Sequence, residues 1–196
     1  MDWNAPVTLM GRYVRLEPMD ETHVEGLAAI GLQDSIWEYM LYGRMRSAKD
    51  IRAWVEDILS RGRQGTDLPF TVFHLESGRI AGATRYLNMQ PKHRGLEIGG
   101  TWYGLEFQQT AVNTECKYLL LEYAFERLGC IRVQFKTDER NVRSQRAIER
   151  LGARQEGVLR NHMILPNGKF RHSVYYSIID SEWPEVKAAL ESKLAR

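Results

Sequence analysis

Apolar positions along the chain repeat with two different periods, and these periods predict its strands and helices. In residues 7–18, Val14 and Leu16 alternate with polar side chains, which indicates a strand. In residues 48–61 and 112–128, apolar side chains recur every three or four positions, which indicates helices with one buried face. No repeat, low-complexity tract or Pro/Gly/Ser-rich linker interrupts this series.

Cap and turn residues set the boundaries of the predicted elements. Ser, Asp or Asn before a helical pattern indicates a helix start, and Gly or Pro indicates an end. The predicted strands are 7–18, 69–75, 79–89, 95–103, 130–137, 154–165 and 170–179. The predicted helices cover about 21–31, 48–61, 112–128 and 141–151, with a last helix from about residue 181, and residues 33–47 are irregular and aromatic. This order predicts one α/β domain over residues 1–196.

The charged side chains nearly balance. There are 27 Lys and Arg residues against 25 Asp and Glu residues, which gives a formal net charge of +2. Such a chain has no broad positive field to attract nucleic acid or an anionic membrane, so we expect neither as a partner. Any recognition of an anion has to be local.

The two cysteines, Cys116 and Cys130, lie among apolar residues and are predicted to be buried, reduced thiols. Their spacing matches neither a CxxC motif nor a metal site, so no metal is expected. No apolar run reaches the ~18 residues of a membrane span, and no leader-like segment opens the sequence. We therefore expect a cytoplasmic protein.

Residues 95–129 are the most informative segment, because a predicted strand leads through a short loop into a long predicted helix. The first amides of a helix have no internal partner, and with the helix dipole they favour a bound anion. The loop contains no Lys or Arg, so binding would depend on backbone N–H groups and on Gln108, Gln109, Thr110 and Thr114. Because most such junctions bind nothing, this feature alone does not establish a site.

Two adjacent glycines, Gly99 and Gly100, interrupt the apolar strand before this loop. They indicate either a bulge with close backbone approach or a tight packing contact, and the sequence leaves both open. Glu97 precedes them on the same strand. Simple alternation predicts that its carboxylate shares a face with Thr101 and Tyr103.

These segments resemble the acetyl-CoA-binding core of the GNAT acetyltransferase superfamily, and most of all its ribosomal-protein (RimJ/RimL-like) branch. The matching stretches are LEIGGTWY, TECKYLLLEYAFERLGCIRVQFKTD and NVRSQRAIERLGARQEGVLR, together with the opening GRYVRLEPM and the closing NGKFRHSVYYSIIDSEW. The resemblance covers nearly the whole chain. It implies a mixed, mostly antiparallel central sheet of about seven strands flanked by helices, with a cofactor cleft between two splayed central strands.

The resemblance also implies a reaction. An acetyl group would pass from acetyl-CoA to a primary amine by direct attack in a ternary complex, without a metal. The acceptor would be a protein N-terminus or a small-molecule amine. The alternative is a module that binds acyl-CoA without turnover. The identity of the acceptor and the oligomeric state are left open, although a homodimer is the commonest symmetric assembly.

The superfamily's pyrophosphate loop, (Q/R)-x-x-G-x-(G/A), falls on residues 108–113. Gln108 matches, whereas Ala111 replaces the glycine and Asn113 replaces the small final residue. Ala111 would be unfavourable at a positive φ and favourable inside a helix, and the continuous pattern TAVNTECKYLL favours the helix. The residues that the resemblance assigns to acetyl-CoA are Thr101, Trp102 and Tyr103 through their backbone, Gln108, Gln109, Thr110, Ala111, Val112, Asn113 and Thr114 around the diphosphate, and Asn141 near the thioester.

The resemblance places a catalytic carboxylate at Glu97, which from the sequence alone is equally an ordinary surface residue. The thiolate-protonating tyrosine of many members falls at Ile148, so Ser144 becomes the candidate that assists the leaving thiolate. Asn141 and Ser144 have plain alternatives as an N-cap and a first-turn serine. The candidate substrate-binding residues are Trp37, Tyr39, Arg85 and Tyr86, and their alternative is core packing of the aromatic rings with a solvated arginine.

Overall fold

Eight strands form one sheet in the computed structural model, which describes residues 3–195. The strands are β1 (Leu9–Met10), β2 (Val14–Pro18), β3 (Asp67–His74), β4 (Ile80–Gln90), β5 (Gly95–Tyr103), β6 (Arg132–Asp138), β7 (Arg154–Ile164) and β8 (Phe170–Ile179). Their spatial order is β1-β2-β3-β4-β5-β6-β8-β7, and neighbours are antiparallel except for the parallel pair β5–β6. The predicted α/β fold with a mostly antiparallel sheet is confirmed.

Helices cover both faces of this sheet. They are α1 (Val24–Gly31), α2 (Asp34–Trp37), α3 (Ala48–Arg63), α4 (Ala111–Glu122, continued by a π-helix over Tyr123–Arg127), α5 (Val142–Glu149) and α6 (Trp183–Leu194). Helices α1 to α3 pack with Ala83 and Trp102 in a small apolar core, and we call this side the small-core face. Helices α4 to α6 pack with Leu96 and Ile98 in a larger core, on the large-core face. Within residues 3–195, no helix is long and apolar enough to cross a bilayer.

The first predicted strand, residues 7–18, is divided in two by a turn at Gly11. The Gly11 N–H donates to the Val14 carbonyl at 2.9 Å, and β1 and β2 pair with each other on either side of this turn. The division explains why the sheet has eight strands where the sequence predicts about seven. The segment 33–47, predicted to be irregular, contains the single-turn helix α2.

A buried carboxylate fastens the β1–β2 turn to α4. Glu115 Oε1 accepts the Arg12 N–H at 2.8 Å, and its Oε2 accepts the N–H groups of Tyr13 at 2.6 Å and Val14 at 2.7 Å. Glu115 is only 4% exposed, so these charge-assisted hydrogen bonds are shielded from water. A Cβ on Gly11 would overlap the Glu115 carboxyl group, which explains the glycine at this position.

The parallel strands β5 and β6 are paired over only part of their length. Their register joins Gly95 to Arg132, Leu96 to Val133 and Glu97 to Gln134. Beyond Glu97, β6 remains paired with β8 as far as Asp138, whereas β5 continues to Tyr103 with its edge toward β6 unpaired. The predicted splay between two central strands is therefore confirmed, and it exposes backbone N–H and C=O groups inside the molecule.

The glycine pair in β5 forms a β-bulge. Gly100 and Thr101 together oppose a single residue of β4, Thr84. Gly100 has a φ of 57°, in the left-handed region that glycine adopts without strain. Of the two alternatives for this pair, the bulge is the one that the structure contains.

The bulge changes which side chains of β5 share a face. Glu97 lies between Leu96 and Ile98, which both pack in the large core, so its carboxylate points to the small-core face. Beyond the bulge, Tyr103 packs in the large core. The prediction that Glu97 shares a face with Thr101 and Tyr103 is therefore wrong, because the one extra residue reverses the alternation.

We predict that Glu115→Gln lowers the free energy of unfolding by about 2–3 kcal/mol. The amide loses the negative charge that strengthens three hydrogen bonds, and it turns an NH₂ group toward backbone N–H groups. Urea unfolding followed by circular dichroism measures the change. Glu185→Gln, at an exposed carboxylate of α6, is the matched control and should change stability by less than about 0.5 kcal/mol. Equal stabilities of the two variants would contradict the role given to Glu115.

Candidate functional site

A cleft of about 630 Å³ opens where β5 and β6 diverge. Thr114 and Lys117 of α4 line it on the large-core face, and Tyr39 and Arg85 line it on the small-core face. The cleft therefore passes through the sheet. Two ligands that enter from opposite faces would meet between the splayed strands.

The loop between β5 and α4 ends at a capped helix start. Thr110 is the N-cap, and its Oγ1 accepts the Val112 N–H at 3.3 Å. Helix α4 begins at Ala111, which confirms the prediction that this alanine is helical. The positive φ of the loop, 61°, falls on Gln109 instead. The first turns of α4 face the cleft through Thr110, Asn113 and Thr114.

Positive charge reaches this turn from the neighbouring helix α5. Arg140, Arg143 and Arg150 line the cleft, and Arg143 Nη1 donates to Gln108 Oε1 at 2.7 Å. Gln108 Nε2 in turn donates to the Tyr103 carbonyl at 2.9 Å. The three arginines are missing from the sequence-based candidates because they lie outside the loop. Arg143 lies in the first turn of α5, Arg140 precedes this helix and Arg150 is its C-cap, so no single helical pattern indicates all three.

The unpaired edge of β5 forms one wall of the cleft through Thr101, Trp102 and Tyr103. The Trp102 ring packs on the small-core face against Trp37 and Trp54, at centroid distances of 5.2 and 5.7 Å. The Tyr103 ring packs in the large core. An extended ligand at this edge would therefore meet mainly backbone N–H and C=O groups, as it would at any open sheet edge.

The start of α5 places Asn141 and Ser144 on the opposite wall. Asn141 is the N-cap of α5, since its Oδ1 accepts the Ser144 N–H at 3.0 Å. This cap uses the amide oxygen, and the NH₂ group of Asn141 takes no part in it. Ile148 lines the same wall and has no proton to donate. The family roles of Asn141 and Ser144 stay predictions that this arrangement allows.

Glu97 is held in a polar network on the small-core face. Its Oε2 accepts hydrogen bonds from Asn88 Nδ2 and Gln134 Nε2, both at 3.0 Å, and its Oε1 lies 3.5 Å from Lys136 Nζ. Its side chain is 3% exposed and still lines the cleft. A Cβ on Gly99 would stand 3.2 Å from Oε1, so the glycine leaves space beside this oxygen. Glu97 is therefore not the ordinary surface residue of the alternative interpretation.

Buried arginines shape the small-core side of the cleft. Arg85 Nε lies 3.0 Å from Asp67 Oδ2 without an aligned hydrogen bond, and Arg85 Nη2 donates to the Tyr42 hydroxyl at 2.7 Å. Burial raises the pKa of Asp67, although the charge of Arg85 opposes this shift. Arg171 Nη1 donates to the Tyr39 carbonyl at 3.2 Å. The alternative of a solvated Arg85 is wrong, since this residue is 7% exposed.

Two predicted substrate-binding residues lie away from the cleft. Trp37 is buried in the small core, where its Nε1 donates to the Gly31 carbonyl at 2.6 Å. Tyr86 is buried on the large-core face, and its hydroxyl donates to the Leu120 carbonyl at 2.5 Å. Consecutive strand residues point to opposite faces, so Arg85 and Tyr86 cannot both reach the acceptor side. The structure therefore does not bring Trp37 and Tyr86 together with Tyr39 and Arg85 at the cleft.

Two predicted diphosphate contacts also fall outside the cleft wall. Ala111 and Val112 do not line the cleft, although their neighbours Thr110 and Asn113 do. The Val112 side chain packs in the large core, and its N–H group already serves the Thr110 cap. Only one side of a helical turn faces the cleft, so some residues of the loop motif line the cleft and their immediate neighbours do not.

Comparison with known protein families and curated proteins gives one consistent match. The family model described as "Acetyltransferase (GNAT) domain" matches residues 14–154. A Bacillus subtilis (strain 168) protein with the provisional name ribosomal N-acetyltransferase YdaF is 33% identical over 109 residues. That alignment covers 56% of this chain and 58% of the relative, which is less than two thirds of the relative's length.

Solved structures match almost the whole chain. A protein from T. thermophilus, provisionally described as an acetyltransferase, is 38% identical with a TM-score of 0.89, over 98% of this chain and 99% of its own. A GCN5-related N-acetyltransferase from Brucella melitensis is 29% identical with a TM-score of 0.89, over 95% of this chain and 84% of its own. The family match includes β5, α4 and α5, which carry most of the cleft wall.

We predict that Thr110→Ala lowers the free energy of unfolding by about 1 kcal/mol, because α4 loses its N-cap. The same change should weaken coenzyme A binding by about three- to tenfold, since one hydrogen-bonding group at the helix start is removed. Titration calorimetry with coenzyme A measures this affinity.

Ser47→Ala is the matched control for this prediction. Ser47 caps α3 in the same way and does not line the cleft, so its loss should cost similar stability and leave coenzyme A binding unchanged. If both variants weakened coenzyme A binding equally, the N-terminus of α4 would not be the binding site.

Proposed function

The chain belongs to the GNAT acetyltransferase family and is an N-acetyltransferase, and we propose that it transfers the acetyl group of acetyl-CoA directly to a primary amine in a ternary complex. The observation that carries this proposal is the cleft through the sheet, which is open to both faces. Acetyl-CoA would occupy the large-core side along α4 and β5. The amine would approach from the small-core side, where Glu97 and Arg85 line the wall.

The residues on the large-core side suit an extended ligand with phosphate groups. The capped start of α4 offers backbone N–H groups and the positive end of the helix dipole. Arg143, which donates to Gln108 in the preceding loop, adds positive charge near it, whereas the charge of Arg140 is paired with Asp138. The unpaired edge of β5 from Thr101 to Tyr103 offers the hydrogen-bonding groups that the amides of a pantetheine arm require.

Glu97 is the proposed acceptor of the amine proton. The attacking nitrogen has to become neutral, and a positioned carboxylate removes its proton directly or through one water molecule. Oε2 is engaged by Asn88 and Gln134, whereas Oε1 faces the space beside Gly99 with Lys136 at 3.5 Å. We therefore assign the proton transfer to Oε1.

The bulge in β5 offers a backbone N–H group to the tetrahedral intermediate, which forms when the amine attacks the thioester carbon. Because Gly100 and Thr101 oppose only Thr84, one backbone N–H of the bulge has no partner in the ladder. A fixed N–H group beside a developing oxyanion stabilises the transition state, and similar donors contribute about 3 kcal/mol in other acyl transfers. We propose this N–H as the donor to the thioester oxygen.

A protein N-terminus is the proposed acceptor. The provisional name of the Bacillus subtilis relative refers to ribosomal proteins, and it supports a protein substrate over a small amine. The proposed location of this reaction is the cytoplasm. Residues 1–196 would act on the substrate as a single domain. A module that binds acyl-CoA without turnover is the second candidate, and Ile148 at the cleft wall favours it because it replaces a proton donor.

Thiol release from acetyl-CoA separates these candidates. Peptides with a free α-amine, the same peptides with a blocked α-amine, amino acids and polyamines form the acceptor panel. We expect release above background with the free peptides alone. Binding of coenzyme A without release for any amine would favour the module, and absence of binding would overturn both candidates.

We predict that Glu97→Gln lowers kcat by about 100-fold or more, because the amide cannot accept the amine proton. The affinity for coenzyme A should stay within about twofold, since Glu97 lies on the acceptor side of the cleft. Steady-state thiol release and calorimetry measure the two quantities. Glu76→Gln, at an exposed carboxylate in the β3–β4 turn, is the matched control with unchanged kcat. An equal kcat for the two variants would rule out Glu97 as the base.

A further inference from the structure

The ammonium group of Lys117 is buried in the large-core side of the cleft without a carboxylate partner. Lys117 is 6% exposed, its Nζ donates to Thr101 Oγ1 at 2.5 Å, and it reaches Thr84 Oγ1 at 3.5 Å. It forms no ion pair with any residue between 3 and 195. A buried charge paired only with hydroxyl groups is costly to keep, so its position calls for a functional explanation.

The location of Lys117 connects it to the proposed reaction. Side chains of a helix tilt toward its N-terminus, so Lys117 reaches back toward the first turns of α4. Its hydrogen-bond partners Thr101 and Thr84 are two of the three residues of the bulge. Lys117 also lines the cleft. The ammonium group therefore stands beside the bulge, whose free N–H is the proposed donor to the thioester oxygen.

The reaction requires an acid on this side of the sheet. When the amine nitrogen bonds to the acyl carbon, the carbon–sulfur bond breaks and its electron pair leaves with sulfur as a thiolate. Ile148 offers no proton, and the Ser144 hydroxyl is a much weaker acid than an ammonium group. Burial lowers the pKa of Lys117 to about 8, close to the ~8.5 of an ordinary thiol. A proton moves most readily between groups with such similar pKa values.

We propose that Lys117 is the general acid of the transfer, which stabilises the departing coenzyme A thiolate by its charge and gives it a proton. One N–H bond of the ammonium breaks, an S–H bond forms, and the neutral amine of Lys117 regains a proton from solvent after the products leave. The attacking nitrogen loses two protons on the other face, one before attack and one from the tetrahedral intermediate, and each passes through Glu97 to solvent. This inference rests on the proposed function, because it requires acetyl-CoA in the cleft.

Other charged and titratable groups around the cleft lie on different faces or titrate in different pH ranges. These groups are Cys116 on α4, Glu38, Tyr39 and Tyr42 after α2, Arg85 on β4, Glu97 and Tyr103 on β5, Lys136 on β6, Arg171 on β8, Arg143 on α5, and Arg140 and Arg150 on either side of α5. Burial raises the pKa of the Cys116 thiol and that of the Tyr103 hydroxyl. Glu97 and Lys136 pair on the small-core face. A guanidinium group is not deprotonated in proteins. Lys117 is thus the group expected to lose its charge near pH 8 on the large-core side.

Titration of bound coenzyme A tests the charge of Lys117 without any acceptor. The ultraviolet absorbance of the thiolate is followed against pH for coenzyme A bound to the full chain, with desulfo-coenzyme A as the blank. We expect the acid dissociation constant of the bound thiol to be about tenfold larger in the parent protein than in Lys117→Met, because a nearby positive charge favours the thiolate. Lys49→Met, at an exposed lysine of α3, is the matched control and should behave like the parent.

The pH profile of kcat tests the proton transfer. The charge of Lys117 is present below its pKa of about 8 and is lost above it, so the parent profile should fall on the alkaline side. In Lys117→Met, kcat should drop by about 100-fold and this alkaline fall should disappear. The thermal midpoint should not decrease, since methionine removes a buried charge. If Lys117→Met does not fold, Lys117→Gln takes its place.

The outcomes distinguish this inference from the proposed function. If coenzyme A does not bind the parent protein, the proposed function fails. If it binds, and its thiol titrates alike in the parent, Lys117→Met and free solution, then Lys117 is not the acid and the proposed function stands. An unchanged kcat and pH profile in Lys117→Met would overturn the inference in the same way.

Discussion

The early end of the parallel ladder between β5 and β6 is the constraint on which the site depends. Only three residue pairs join the two strands, and both strands then follow their antiparallel partners, β4 and β8, in diverging directions. Backbone groups that a continuous sheet would pair are thereby left for a ligand. The same divergence opens the sheet to both faces, so a donor and an acceptor can meet without sharing an entrance.

Local charge, rather than net charge, determines what this opening can bind. The chain as a whole carries a formal charge of only +2. Within the cleft, Arg143 of α5 and the ammonium of Lys117 lie on the side of α4, whereas Glu97 and Lys136 neutralise each other on the opposite face. The two faces of one opening therefore offer different environments, one suited to phosphate and thiolate groups and the other to an amine and its departing proton.

Sequence patterns could predict elements and single positions better than they could predict which residues meet. The helical start at Ala111 follows from local propensity and the cap at Thr110, both of which are read within a few residues. Arg85 and its neighbour Tyr86 cannot both face the cleft, because consecutive side chains of a strand point to opposite faces. Lys117 could not be found, since Thr84 and Thr101 reach it only through the register of β4, the bulge and the packing of α4. Contacts of this kind depend on tertiary geometry that no local pattern contains.

Because of the bulge at Gly100, the number of residues in β5 is more tightly constrained than their identity. Losing one residue there would turn every following side chain over, sending the Trp102 indole toward α4 and the Tyr103 phenol toward α1 and α3. Each apolar core would then have to accommodate the aromatic ring that now packs in the other core. The residue count of this strand therefore decides which aromatic ring belongs to which half of the molecule, a constraint that the surface loops do not share.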